Sequence, residues 1–348
     1  MAFLNSQLHV SVPLTDLAVA FRVKKDQWLW SKLLPPKVVN KRTDLIRQIS
    51  KAQLLRSYEL RAGKGGAVQE IQFKIDDNQS FKCIDYAVEA VLSNTESAEA
   101  DAILEYEAEQ IYACVTAMEI NMEIITIRDT LRDTGVLTQN VTLTPAYYWD
   151  NYNSLNSDPI EDLMVACLLV FVATGNRPNL IVMHAFVWDR VQRHPKVLAR
   201  GGVHPTGNAI VTIEQMEHIL SVSPGTIQVT ANYYNAARED QTPVYRAMIG
   251  PDTLVAYCAP PTDRTYALGA SFQFNASSVG GSGEIIEELK APFVVYEFPD
   301  VGLRDARGAT IHRLVGGLDQ KVLVPEAGYL IKNCVDSTAT RYGGYLAA

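Results

Sequence analysis

DPIEDLMVACLLVFVATGNRPNLIVMHAFVWDRVQRHPKV, residues 158–197, contains a start, a stop and a change of period within forty positions. Asp158 followed by Pro159 is a helix N-cap with proline at the first helical position, and the apolar run to Thr174 ends at Gly175. Gly175 to Asn179 is a turn, in which Pro178 blocks helix continuation. NLIVMHA then reads as a short buried strand and VWDRVQRHP as a short helix stopped by Pro195. Helix, turn, strand, helix is one unit of an α/β domain. The stretch also places His184, Asp189 and His194 within eleven positions, so a phosphate-binding turn, a metal site and plain scaffold all have to be weighed.

The unit continues downstream. TIEQMEHIL is a helix with Thr212 three residues before Gln215 as a capping box. TIQVTANYY and TLVAYC supply strands, and after Pro260-Pro261 the pattern turns to ASFQFNA, FVVYEF and KVLVPEAGYLIKNCV. Between the first two of these lies SSVGGSGEIIEEL, read as a flexible loop, and the tail YGGYLAA is expected to be loose.

Upstream, residues 97–133 contain no Gly or Pro. Leu104, Ala108, Ile111, Val115, Met118, Met122 and Ile125 recur there at four-three spacing. That is one face of a long helix, on the order of 50 Å at about 1.5 Å per residue. Acids crowd its start, Arg128 and Arg132 sit near its end, and Gly135 follows as a stop. The repeat lasts too few heptads for a coiled coil. Before it, Ile71, Phe73 and Ile75 alternate with Gln72 and Lys74, and Gly63-Lys64-Gly65-Gly66 reads as a hairpin tip.

Charge is divided between two neighbouring segments. Residues 22–64 hold twelve Lys/Arg against three acids, and residues 70–133 hold fifteen acids against four bases. A basic segment can bind nucleic acid. The net charge of −8 over the whole chain argues against global nucleic-acid binding. WLWSKLLPPKVV, residues 28–39, is amphipathic and favours docking on the acidic segment of its own or a neighbouring subunit.

The 348 residues, 47% hydrophobic and 20% charged, suit two or three ordinary globular domains. The run Leu163–Ala173 is about half of the roughly 20 residues a membrane helix needs, and the start lacks the order of a secretory signal. Five cysteines without C-x-x-C spacing read as reduced core residues of a cytoplasmic product.

Motifs that invite an enzyme reading fail on the residue that carries the chemistry. Lys64 is followed by two glycines where a Walker loop needs Ser or Thr. Gly280-Gly-Ser-Gly-Glu284 lacks the second glycine of a nucleophile elbow. Gly202 to Gly207 is followed by Asn208-Ala209 instead of Lys-Ser/Thr. His184, Asp189, His194 and His204 could still converge as a metal-dependent hydrolase, although no H-E-x-x-H exists. Histidines on such apolar elements are more often hydrogen-bonded scaffold. No catalytic residue, cofactor or metal is therefore assigned.

Taken in order, a basic arm, a projecting hairpin, a very long helix, an α/β domain and a strand-rich return resemble the major capsid proteins of tailed bacteriophages. The segment with Asp158-Pro159, Gly175-Asn176-Arg177-Pro178-Asn179, Trp188 and His194-Pro195 is similar to that family's helix, turn and strand signature. Lys321-Val322 and Ala327 to Asn333 are similar to its closing strands. The resemblance spans nearly the whole chain.

The resemblance implies an α+β fold of the Hong Kong 97 type and a subunit that is not an enzyme. Its expected parts are an amino-terminal arm (1–56), an extended loop (57–84), a peripheral domain with the spine helix (85–157), an axial domain (158–264), peripheral return strands (265–310) and axial closing strands with the tail (311–348). It implies hexamers and pentamers tiling an icosahedral shell around double-stranded DNA, assembled in the host cytoplasm and located in the virion. A separate scaffolding protein, a portal and a decoration protein are the implied partners. Lys41, Arg42, Arg47 and Lys64 on the basic side, and Glu99, Asp101 and Glu105 on the acidic side, are the expected inter-subunit contacts. An encapsulin-like compartment shell is the alternative within the same fold.

Overall fold

The computed structural model describes residues 9–10, 28–49, 75–93, 103–132, 135–202, 210–238, 241–259, 266–274, 294–300 and 309–336. In chain order its elements are β1 (His9–Val10), α1 (Trp30–Leu33), β2 (Pro36–Val39), β3 (Thr43–Ile49), β4 (Ile75–Lys82), β5 (Ile84–Ser93) and α2 (Ile103–Glu123), which runs on as a π-helix over Ile124–Leu131. Then come β6 (Gln139–Thr142), α3 (Pro159–Thr174), β7 (Leu180–His184), α4 (Ala185–Val191), α5 (Pro195–Arg200), α6 (Ile213–Leu220), β8 (Ile227–Thr230), β9 (Tyr233–Asn235) and β10 (Tyr245–Ala247). The chain closes through β11 (Thr253–Ala256), β12 (Gly269–Phe274), β13 (Val294–Asp300), β14 (Ala309–Val322) and β15 (Gly328–Lys332).

One sheet is organised around the long strand β14. Its one edge pairs with β5, and its other edge pairs first with β13 and then with β12, all antiparallel. Side chains alternate across a strand, so Leu314 and Leu318 share a face. With Ala90 and Val295 they pack against Ile111, Cys114, Val115, Met118 and Met122 of α2. The long helix thus lies along this sheet.

The expected four-three stripe of α2 is buried at Ile111, Val115, Met118 and Met122, but Ile125 is only half-buried. The reason is the π-helix. Thr130 Oγ1 donates to the Ile125 carbonyl and Arg132 N to the Ile127 carbonyl, both five residues back. Each wider turn rotates the buried face, which passes to Thr126, Ile127 and Leu131.

The second sheet, ordered β6-β15-β11-β7-β8, is apolar on both faces. Ile181, Met183, Val255 and Ile331 face a layer built by α3 to α6, while Leu180, Val182, Leu254 and Leu330 face Leu29, Leu33, Ile127 and Leu131. Burial on both sides explains why NLIVMH reads as an unbroken apolar run. Asp158 caps α3 by accepting from Glu161 N, and Gly175 closes it at φ 76°. Thr212 and Gln215 form the capping box of α6.

Strand pairing departs from the expected divisions at two places. Residues 311–322, expected among the axial strands, belong to β14 and pair with β5, β12 and β13. Residues 139–142, expected in the peripheral part, pair with β15 as β6, and Trp149 is buried in the core under α3. Pro195 does not merely stop a helix: it is the first residue of α5, with His194 as N-cap. The loop 277–289 and the tail 342–348 lie outside the described residues.

Candidate assembly surfaces

The amino-terminal segment docks on its own chain. Leu29, Trp30, Leu33 and Leu34 are each at most 3% exposed. The backbone N–H groups of Leu29 and Trp30 donate to Glu123 Oε2 at 2.8 and 3.3 Å, and the Trp30 indole donates to Glu119. On its other oxygen Glu123 accepts from Asn232 Nδ2 at 2.9 Å. One buried carboxylate thereby joins the arm, the last α-helical turn of α2 and the segment after β8. Burial pushes the Glu123 carboxyl up to about 7, and the nearby Glu119 carboxylate adds to this against the N–H donors that favour its charge.

Sequence reasoning missed both glutamates. A signal was present, because Glu119 and Glu123 each directly follow a stripe methionine and stand four residues apart on one side of the helix.

The far end of the spine is fixed by a second carboxylate. Arg132 Nε donates to Asp252 Oδ2 at 2.7 Å, and Asn333 N donates to Asp252 Oδ1 at 3.0 Å. Asp252 is 2% exposed at its side chain and Arg132 14%. Gly250, at φ 63°, leaves the space the guanidinium occupies, since a Cβ there would stand 3.2 Å from Arg132 Nη2.

A two-stranded stem packs against the first sheet, with Phe81 stacked on Phe272. β3 and β4 pair antiparallel from Thr43 opposite Lys82 to Ile49 opposite Ile75. The chain between the paired ends, 50–74, includes the expected tip at Lys64 and lies outside the described residues. The stem begins at Thr43, earlier than the expected loop start at 57, because its first strand comes from the segment assigned to the arm.

Of the expected contact residues, Lys41 and Arg42 sit at the base of this stem. Lys41 pairs with Asp44 at 3.1 Å, and Arg42 pairs with Asp85 at 2.7 Å while its guanidinium stands 5.0 Å from the Phe274 ring centroid. Arg47 lies on β3 and Glu105 on α2. Lys64, Glu99 and Asp101 lie outside the described residues. Val38 on β2, Leu45 on β3 and Ile84 on β5 are exposed apolar side chains.

The histidines are helix caps. His184 Nδ1 accepts from Phe186 N and His194 Nδ1 from Lys196 N, each at 3.2 Å. Burial pushes both imidazoles down to about 4, so each is neutral at pH 7. With Nδ1 of His194 accepting, its proton stands on Nε2, which faces Ser157 Oγ at 3.1 Å. Ser157 Oγ in turn donates to the Tyr148 carbonyl. A general base needs its lone pair toward the serine, so this pair is wired as scaffold and not as a nucleophile. Asp189 pairs with Arg193 and Arg190, and His204 lies outside the described residues. Among the described residues no three His, Cys, Asp or Glu side chains are grouped to hold a metal ion, and no helix is long and apolar enough to cross a membrane.

No protein-family model matches the chain, and no curated protein matches it. Among solved structures it is similar to a phage-related protein from Bordetella bronchiseptica RB50, at 18% identity and TM-score 0.69, over 94% of this chain and 98% of that one. A virus-like particle from Pyrococcus furiosus matches at 12% identity and TM-score 0.50, over 92% of this chain and 98% of that one. The capsid of cyanophage P-SCSP1u matches at 10% identity and TM-score 0.50, over 86% of each chain. With both sheets, the spine helix and the hairpin stem on one chain, the protein has the α+β fold of phage capsid proteins.

Proposed function

We propose that this chain is a shell subunit, a structural protein and not an enzyme, many copies of which tile a closed capsid. The finer reading is the major capsid protein of a tailed double-stranded DNA phage, arranged as hexamers and pentamers. The observation that carries it is the end-to-end likeness to a phage-related protein, at 94% and 98% coverage, supported by the likeness to a cyanophage capsid. In this reading the first sheet with α2 is the peripheral domain, the second sheet with α3 to α6 is the axial domain, and the 43–82 hairpin reaches a neighbour. Scaffolding, portal and decoration proteins are its partners, and the virion is its place. A net charge of −8 lets packaged DNA move along the wall without adhering.

A compartment shell that encloses protein cargo is the second reading, because the likeness to the Pyrococcus furiosus virus-like particle supports a closed shell without fixing its contents. Nuclease treatment of purified particles separates the two. Protected double-stranded DNA after co-expression with the packaging machinery supports the phage reading. Particles that hold a protein cargo and exclude DNA support the compartment.

Charge reversal at Lys41, Arg42 and Arg47 tests the contact surface. The described pairs of Lys41 and Arg42 are exposed, so each contributes at most about 1 kcal/mol to the subunit. Lys41→Glu, Arg42→Glu and Arg47→Glu together are expected to leave the circular-dichroism melt within a few degrees of wild type while abolishing particle light scattering. Normal particles from the triple variant would remove these residues from the interface.

A further inference from the structure

Helix α3 is apolar on all sides, yet only one side is covered. Ile160, Leu163, Ala166, Val170 and Ala173 are buried against the second sheet and its helices. Met164, Val165, Leu168, Phe171 and Val172 point outward, with Leu168 59% and Val172 64% exposed. Spaced three and four apart along the helix, they form one stripe. It leaves on the order of 500 Å² of apolar surface, at the upper end of what a soluble monomer exposes.

A second apolar feature stands just before the helix. Leu155 is 90% exposed, and the loop that carries it is fixed on both sides of it. Lys196 Nζ donates to the Leu155 carbonyl at 2.7 Å. Ser154 Oγ donates to the Ala146 carbonyl at 2.6 Å and accepts from Asn156 N, and Ser157 Oγ donates to the Tyr148 carbonyl. A leucine held out in water by a fixed loop gives up little conformational freedom when another surface covers it. From the helix start beside Leu155 to Leu168 and Val172 the separation is about 15 to 20 Å, at about 1.5 Å per residue. A chain's own Leu155 therefore leaves the far half of its stripe uncovered.

We infer that Leu155 of one copy packs on the Leu168 and Val172 half of the α3 stripe of the next copy around a ring. The two surfaces differ, so each copy gives its leucine to one neighbour and receives one from the other. Such a head-to-tail contact closes rings of five or six, whereas a contact between identical faces closes a pair and stops. The occupant rests on the shell reading, which requires ring contacts between copies. A lipid surface is the competing occupant, because Arg177, Lys196 and Arg200 flank the stripe. Lys196 and Arg200, however, pair with Asp158, and the exposed Glu161 follows in the first turn of α3. That end therefore carries no surplus of positive charge for anionic headgroups. Arg177, at the other end, donates to the Ser221 carbonyl.

The test is covalent trapping in the full chain, in a Cys167→Ala background because the other four cysteines are buried. Leu155→Cys is combined with Leu168→Cys, and separately with Val172→Cys, and the purified protein is treated with a short bismaleimide. A denaturing gel is expected to show a ladder rising past dimer to pentamer or hexamer for at least one double variant, and monomer for each single variant. Dimers from Leu168→Cys alone, or a ladder that stops at dimer in both double variants, would mean a two-fold contact and overturn the inference. Leu155→Asp and Leu168→Glu alter only outward side chains, so each is expected to keep the wild-type melt. Each should weaken self-association in sedimentation velocity by about tenfold or more. Closed particles that give only monomer on the gel, with unchanged sedimentation of both variants, would overturn the contact and leave the shell reading standing. A ladder from chains that never close into particles would do the reverse. A wild-type chain that stays monomeric would overturn the inference, and its co-flotation with phosphatidylserine–phosphatidylcholine vesicles would assign the stripe to lipid instead.

Discussion

Replacing Arg132 by alanine is expected to destabilise the subunit by about 3 to 5 kcal/mol, the usual cost of removing one partner of a buried ion pair. For a chain of 348 residues that corresponds to a loss of about 4 to 7 °C in Tm. Asp252, 2% exposed, would keep its bond from Asn333 N and lose its only charged partner among the described residues. The cost lies in the stranded carboxylate more than in the lost attraction. Adding Asp252→Asn should therefore recover much of the loss, because the amide oxygen still accepts from Asn333 N without a charge. Thermal and urea melts of wild type, Arg132→Ala and the double variant measure this. Equal melts for Arg132→Ala and the double variant would show that the ion pair does not tie the spine to the second sheet.

Glu123 carries the other large effect. Glu123→Ala removes the acceptor from the buried N–H groups of Leu29 and Trp30 and from Asn232. At about 1 to 3 kcal/mol for each buried group left unpaired, the arm should release. Proteolysis within residues 28–34 is the direct readout. Glu123→Gln is nearly the same shape and keeps an oxygen that accepts from the Leu29 and Trp30 N–H groups, so it should keep the arm docked.

The two side chains differ in their response to pH. A carboxyl raised from 4.5 to about 7 favours the protonated form in the folded state. Its contribution is fully present below about pH 4.5 and is lost as pH rises through 7, by an amount on the order of 3 kcal/mol. The wild type should therefore lose stability across that window relative to Glu123→Gln, measured as the difference between their melts at pH 5 and pH 8. A constant difference would show that Glu123 does not titrate under the arm.

What was legible in the sequence was local. The Asp158 cap, the Gly175 stop, the Thr212–Gln215 box and the apolar run of β7 each rest on neighbours a few residues away, and local chemistry dictates them. β14 was legible only at its end. Its interior carries His312, Arg313 and Gly316-Gly317, and the partners that bury it come from strands far off in sequence. Gly317 permits a close approach, since a Cβ would stand 3.1 Å from Phe274 Cβ, and nothing in a run of single residues announces that.

The surfaces were legible in charge and not in partner. The basic segment does meet acids of its own chain, through Arg42 on Asp85 as the charges suggest, but Glu119 and Glu123 receive a tryptophan indole and two backbone N–H groups. Burial of a glutamate depends on what lands on it, and here the docking residues come from about ninety positions away. The π-helix that shifts the buried stripe past Met122 likewise has no counterpart in the four-three pattern. Of the histidines the sequence singled out, His184 and His194 turned out to be caps, and His204 lies outside the described residues.

Electron microscopy of the purified full-length chain at low and high salt tests the central claim most directly. The account predicts closed particles of uniform diameter with pentameric and hexameric units, formed at low salt and weakened at high salt as contacts between charged segments are screened. Monomers or small open oligomers at every salt concentration, with and without a co-expressed scaffolding protein, would contradict it.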